Sequence, residues 1–275
     1  MDQAAGPIPQ DRALLAELER LALAAGRVVM DFYRNGGPVE SKADHSPVTA
    51  ADRDAEAVIL DGLRACAPGI PVVAEEETSA GRVPAELGEA FFLVDPLDGT
   101  REFVNRRDDF TVNIALVRRG EPVCGVVYAP ARQALWSGSP GHAEAATVSP
   151  EHAVLSRRTI RARPLARPPV IVASRSHRTP ETDAFIARYP GSEIVSVGSS
   201  LKFCLLARGE ADIYPRFGRT MEWDTAAGDA VLRAAGGRTM TLDGKPLAYG
   251  KRNLPNEADF ANPHFVAEGR PAERG

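Results

Sequence analysis

The segment Phe91-Phe92-Leu93-Val94-Asp95-Pro96-Leu97-Asp98-Gly99-Thr100 constrains this chain more than any other. Its four leading apolar residues read as a short buried strand, and the residues after them read as a turn. With Pro96 in second place, a type I turn from Asp95 to Asp98 would bring its end Cα atoms within about 7 Å. The spacing therefore predicts two carboxylates held at a strand end, close enough to serve one cation or a close pair. Gly99 allows close backbone approach to a ligand, and Thr100 adds a hydroxyl. Hard oxygen ligands, bare backbone and a hydroxyl together suit magnesium-assisted phosphate chemistry.

Taken alone, Asp-Pro and Asp-Gly are ordinary turn residues. Two further acidic groups change that reading. Glu75-Glu76-Glu77 follows the apolar stretch Ile70 to Ala74, and Glu222-Trp223-Asp224 precedes the small residues Thr225-Ala226-Ala227-Gly228. Acidic groups that each sit at the edge of an apolar element predict convergence on one centre, of the kind that can hold a pair of divalent cations. Small residues in a first helical turn let that helix end approach a crowded charged centre. Trp223 reads as a packing wall beside it.

Composition excludes several other classes. The 275 residues carry a net charge of −4, so no global basic field draws the chain to a nucleic-acid polymer. An acidic protein with an anionic substrate needs local positive charge, and metal ions supply it. No apolar stretch reaches the roughly 20 residues of a membrane span, and residues 1–12 lack the pattern of a secretory signal. Cys66, Cys124 and Cys204 are widely spaced in apolar surroundings and read as buried free thiols of a reducing compartment. The expected location is the cytoplasm, with peripheral association with the inner membrane left open.

Along the chain, Leu14, Leu15, Leu18, Leu21, Val28, Val29 and Phe32 have helical spacing over residues 11–34, with Asp11 available as N-cap. A second helix is predicted from Ala50 to Cys66, with Asp52 in its first turn. Residues 72–137 change to short strands that read as an antiparallel meander, closed by Gln133 to Ser137. The Gly-, Pro-, Ala- and Arg-rich stretch 138–168 has weak periodicity and marks the subdomain boundary; its arginines from Arg157 to Arg167 read as a solvated edge. After Pro169 strands and helices alternate: strands at 170–173, 193–197 and 211–214, helices at 180–189, 199–208 and 223–235.

The stretches VAEEE, DPLDGTREFVNRRDDFTVNIAL, SRSH, GSSLKFCLLARGEADIYPRFG and EWDTAAGDAVLRAAGG, in that order, resemble the inositol monophosphatase superfamily, and within it the 3'(2'),5'-bisphosphate nucleotidases of the CysQ type. The resemblance runs from about Asp44 to Pro246. It implies a layered α-β-α-β-α sugar-phosphatase-like fold, α+β in its first half and α/β in its second, with an antiparallel sheet followed by a mixed one. A metal-binding subdomain over 1–145 and a substrate-recognition subdomain over 146–275 would form one compact unit.

The resemblance also implies roles. Glu75 and Asp95, with the carbonyl of Leu97, would hold one Mg2+ ion; Asp95, Asp98 and Asp224 would hold a second; a third, weaker ion would lie near Glu75. Glu76 is the alternative to Glu75, and Glu77 is expected in solvent. Asp52, in Thr49-Ala50-Ala51-Asp52, would orient Thr100 to relay a proton from the attacking water. The Gly99 and Thr100 amides would cradle the phosphate. His177, Ser199, Ser200, Lys202 and Arg216 fall in segments similar to nucleotide-recognition segments. Physically, serines at a helix start can bind an anion, and Lys202 and Arg216 can neutralise a second phosphate. His45, His142, His152 and His264 read as surface or structural, and Arg101 stands where the family often has lysine.

The expected activity is magnesium-dependent hydrolysis of the 3'-phosphate of adenosine 3',5'-bisphosphate to AMP and phosphate, lithium-sensitive, clearing a by-product of activated-sulfate metabolism. The partner is then a small phosphorylated nucleotide; a homodimer is left open. The alternatives are an inositol monophosphatase or broad sugar-phosphate phosphatase, and, in another class, a non-catalytic nucleotide or metal sensor.

Overall fold

The computed structural model describes residues 9–36, 39–41, 47–174 and 179–271. Helix α1 (Pro9–Asn35) leads into a small antiparallel pair, β1 (Val39–Ser41) and β2 (Pro47–Thr49), and then α2 (Ala50–Cys66). A seven-stranded sheet follows: β3 (Val72–Ala74), β4 (Ala90–Asp98), β5 (Thr111–Arg118), β6 (Glu121–Ala129), β7 (Ala134–Ser139), β8 (His142–Val148) and β9 (Val154–Thr159), in that spatial order. Short helices α3 (Glu75–Ser79) and α4 (Thr100–Val104) interrupt it. Only the β3–β4 pair is parallel; the other pairs are antiparallel.

The remaining elements are β10 (Val170–Ser174), α5 (Pro180–Ile186), β11 (Glu193–Val197), α6 (Leu201–Ala207), β12 (Ile213–Arg216), α7 (Ala226–Ala234), β13 (Arg238–Thr241) and β14 (Phe265–Glu268). They form a five-stranded mixed sheet ordered β11-β10-β12-β14-β13.

Side-chain alternation sorts the layers. On β4, Phe92 and Val94 join the core under α1 and α2, whereas Phe91 and Leu93 join the central core with α6 and α7. A strand buried on both faces reads as a continuous apolar run, as Phe91 to Val94 does. In the second sheet, Val172, Tyr214 and Phe265 face the central core, while Ile171 and Ile213 pack with Ile186 of α5. The result is the expected α-β-α-β-α stack. Helix α7 lies close against the first sheet because Gly125 and Gly138 face it. A Cβ at Gly125 would sit 2.4 Å from the Ala227 carbonyl oxygen, and one at Gly138 would sit 2.8 Å from Val231 Cα. That approach brings the residues before α7 to the end of β4.

Several expectations need correction. The stretch read as irregular holds β8 and β9, so the meander does not end at Ser137. Their polar and exposed positions hide the alternation. The 145/146 partition falls inside β8; we propose the connection at 160–169 as the division. Arg157 of β9 is clamped to Glu19 of α1 and Arg163 to Asp212, so these arginines join elements together. Asp11 is not the N-cap: α1 starts at Pro9, and the buried Asp11 carboxylate accepts from Arg118 Nη2 at 2.6 Å. Cys66, the last residue of α2, is exposed, whereas Cys124 and Cys204 are buried; all three are free. Among the described residues no helix is long and apolar enough to cross a membrane.

Candidate active site

Strand β4 does not turn at Pro96. Asp95 pairs with Asn113 and Asp98 with Thr111, so three steps on β4 match two on β5. The extra residue is a β-bulge, and proline is tolerated there because it has no N–H to give a ladder. In a regular strand, residues three apart face opposite sides. The bulge restores parity and brings both carboxylates to one side. The expected type I turn is therefore a bulge within a continuing strand, and it accomplishes the same convergence.

Each carboxylate is oriented by donors. Asp95, only 1% exposed, accepts from the Leu97 N–H at 3.0 Å. Asp98 Oδ2 accepts from Ser199 Oγ at 2.6 Å and from the Ser200 N–H at 2.8 Å, with Asn113 Nδ2 at 3.5 Å. Asp224 Oδ2 accepts from the Met221 N–H at 2.9 Å. Glu75 opens α3 and, with Asp95, Asp98 and Asp224, lines one cleft of about 630 Å³. Of the glutamate triplet, Glu75 lines the cleft, while Glu77 accepts two hydrogen bonds from Arg82.

Burial, then repulsion from Glu75, Asp98 and Asp224, raises the Asp95 carboxyl well above the usual carboxylate range. Asp224 is raised by burial, then by Asp98 and Glu75. Crowded, desolvated carboxylates of this kind are stabilised in their ionised form by a cation. Among the described residues no group of three or more His, Cys, Asp or Glu side chains is placed so that those side chains alone could hold a metal ion. The donors are spaced hard oxygens, of the kind Mg2+ engages through one or two carboxylates and water. The set fits that ion.

Thr100 stands beside them. Its Oγ1 lies 3.2 Å from Asp52 Oδ1 and 3.1 Å from the Leu97 carbonyl oxygen, the two acceptors within reach of its proton. Asp52 is buried, and its Oδ2 accepts from the Thr49 N–H and Oγ1, each at 2.7 Å, in a capping box that starts α2. Gly99 has φ +92°, and a Cβ there would lie 2.9 Å from the Asp109 carbonyl oxygen. The glycine is demanded by its own backbone and by the 109–110 segment.

The same cleft is lined by Lys202 and Arg216, 5% and 7% exposed. Lys202 Nζ donates to the Ser199 carbonyl and sits over the Tyr214 ring at 5.4 Å. Burial lowers its pKa to about 8. Arg216 donates through Nε and Nη2 to the carbonyls of Gly218 and Arg219, at 3.1 and 2.7 Å. Ser199 lines the cleft, but its hydroxyl serves Asp98, and Ser200 is buried with Oγ donating to the Asp224 carbonyl at 2.6 Å. Both serines thus orient the acidic side, which differs from the anion-binding expectation. Trp223 lines the cleft and packs near Phe260. His177 lies outside the described residues, as does His45.

The profile of the inositol monophosphatase family matches residues 11–269. This chain belongs to that family. The match extends well beyond the 44–246 range expected, because α1 and the C-terminal strands are part of the family fold. The chain is 46% identical over 254 residues to the 3'(2'),5'-bisphosphate nucleotidase CysQ of Escherichia coli strain K12, covering 92% of this chain and 98% of that protein. It is 32% identical over 257 residues to that of Haemophilus influenzae, covering 93% of each. The crystal structure of CysQ from Bacteroides thetaiotaomicron superposes with a TM-score of 0.75 at 37% identity, covering 94% of this chain and 97% of that one. An inositol monophosphatase from Anabaena shares the fold, with a TM-score of 0.71 at 24% identity over 96% of this chain and 92% of its own.

Within this family member, the supporting roles of three side chains escaped the sequence reading. Asn113, a polar residue inside the apolar run of β5, donates to Ser200 Oγ at 3.0 Å and faces Asp98. Its alternation with Thr111 was the available signal. Glu222 is fully buried and accepts from the Gly250 and Lys251 N–H groups at 2.6 and 2.9 Å. Glu56 accepts from the Glu76 and Glu77 N–H groups at 2.8 and 2.9 Å, and its place one helical turn after Asp52 was the clue. Burial raises its pKa to about 7, opposed by those two hydrogen bonds.

Proposed function

We propose that this chain is a magnesium-dependent 3'(2'),5'-bisphosphate nucleotidase that converts adenosine 3',5'-bisphosphate to AMP and phosphate, a step that clears a by-product of activated-sulfate metabolism. The observation that carries the reading is that four carboxylates and two buried cations line one cleft, and a monophosphate would call only for the carboxylates and their metals. Similarity to CysQ nucleotidases along nearly the whole chain supports the same choice.

Glu75, Asp95 and the Leu97 carbonyl are the proposed holders of one Mg2+ ion, and Asp95, Asp98 and Asp224 of a second, with a third near Glu75. When bound, such ions supply Lewis acidity, a more acidic water and charge stabilisation of the leaving oxygen. The chain's own residues do the rest. Thr100 accepts a proton from the attacking water at Oγ1 as its own proton passes toward Asp52 Oδ1, which the capping box holds still. The Gly99 and Thr100 amides face the scissile phosphate. Lys202 and Arg216 oppose the charge of the phosphate that is not hydrolysed. Ser199 and Ser200 keep Asp98 and Asp224 aimed.

Phosphate release with Mg2+ on adenosine 3',5'-bisphosphate, its 5'-phosphosulfate analogue and inositol 1-phosphate tests this. The expected order of kcat/KM puts a nucleotide first. Preference for inositol 1-phosphate would overturn the substrate, and no release from any of the three would favour a non-catalytic sensor.

A further inference from the structure

We propose that Glu56 is a positioning residue for the acidic side of the cleft, stapling the first turn of α3 to α2 so that Glu75 is presented for Mg2+. The inference rests on the magnesium reading above. The first N–H groups of a helix lack intrahelical partners, and Ala74, the residue preceding α3, offers no side-chain cap. Glu56 supplies that cap from a different helix, 20 residues earlier: Oε2 takes the Glu76 N–H and Oε1 takes the Glu77 N–H. Each oxygen is assigned to one donor, so the carboxylate fixes both the position and the rotation of the turn that begins with Glu75.

The placement is costly on any other account. Glu56 is 3% exposed and feels repulsion from Glu75 and Glu76. A purely structural cap would be better served by a neutral side chain at position 74. What Glu56 adds is registration. It stands one turn from Asp52 on the same helix face, and Asp52 reaches Thr100. Helix α2 thereby sets the proton-handling hydroxyl and the Glu75 segment relative to each other from one rigid element.

The test uses Glu56→Gln, whose amide keeps one acceptor but presents an NH2 to the second N–H. Mg2+ binding is measured calorimetrically on the whole protein without substrate, beside kcat and the Mg2+ half-saturation in turnover. Outer partners of metal ligands typically change metal affinity about 10- to 100-fold when mutated. The expected result is a loss of that size in Mg2+ affinity in both measurements, with kcat at saturating Mg2+ within about threefold of the wild type. Glu56→Asp, too short to reach both donors, should lose Mg2+ affinity as well. A lower melting temperature with Mg2+ affinity unchanged would make Glu56 merely structural and overturn the proposal, as would a loss confined to kcat. If the wild type binds Mg2+ but ignores adenosine 3',5'-bisphosphate, the substrate reading fails while the calorimetry still judges Glu56.

Discussion

The acidic and the basic groups of the cleft are held in opposite ways. On the acidic side, Asp95, Asp98 and Asp224 are held by backbone N–H groups and serine hydroxyls, so each carboxylate is aimed before any cation arrives. On the basic side, Lys202 and Arg216 donate to carbonyls of Ser199, Gly218 and Arg219. Burial acts on both sides in mirror image: it raises the pKa of Asp95 and Asp224 and lowers that of Lys202, because a low-dielectric site disfavours charge of either sign. The acidic side carries a surplus of negative charge that divalent cations complete, and the basic side a surplus that an anion completes. A phosphorylated ligand together with divalent cations is the proposed complement to both.

If that division is right, damage to the acidic side should dominate. Asp98→Asn or Asp224→Asn should lower Mg2+-dependent kcat on the order of a thousandfold, the equivalent of several kcal/mol of lost charge stabilisation. Circular dichroism should show a folded protein. Near-normal turnover at ordinary Mg2+ would remove these residues from the metal site.

Asp52→Asn separates proton handling from metal binding on the same side. It should reduce kcat about a hundredfold, a typical contribution of acid–base assistance, with the Mg2+ half-saturation barely moved. Full recovery at high Mg2+ would mean that Asp52 acts as a ligand.

The basic side should show smaller, substrate-dependent effects. A charge-assisted contact contributes about 1.5–3 kcal/mol, so Arg216→Ala should lower kcat/KM on adenosine 3',5'-bisphosphate about ten- to a hundredfold while sparing inositol 1-phosphate. Because Arg216 also anchors the Gly218 and Arg219 carbonyls, equal losses on both substrates would assign it to holding that loop alone.

Lys202 gives the mildest test. Its folded pKa, about 8, lies below the ordinary lysine value, so the charge is present below that pH and lost above it. KM for the bisphosphate should rise from pH 7 to pH 9 by up to about tenfold, as the charged fraction falls tenfold per unit beyond the pKa. Lys202→Met should flatten that rise; a KM that stays level in the wild type would take Lys202 out of substrate binding. The sign for stability follows the same shift. With its pKa depressed in the folded state, the buried amine favours folding above its unfolded pKa, and that contribution is lost as pH falls through about 8.

Much of this was legible in the chain alone. The period of α1, the span of α2 from Ala50 to Cys66, the strand at Glu193 to Val197 and the acidic groups at apolar edges are local patterns, and local patterns survive in one dimension. The resemblance to the family supplied the candidate site residues because those segments are contiguous and long. Periodicity failed where a strand is exposed, as in β9, or follows irregular chain, as in β14. Tertiary structure alone decided which groups serve which. The bulge between Asp95 and Asp98 depends on pairing with β5. Ser199 reaches Asp98 across 101 positions, and Glu56 reaches the α3 turn across 20. A side chain's hydrogen-bond partner depends on how distant elements pack, and no local spacing records that; what the sequence by itself determined was the inventory of charges and the elements that carry them.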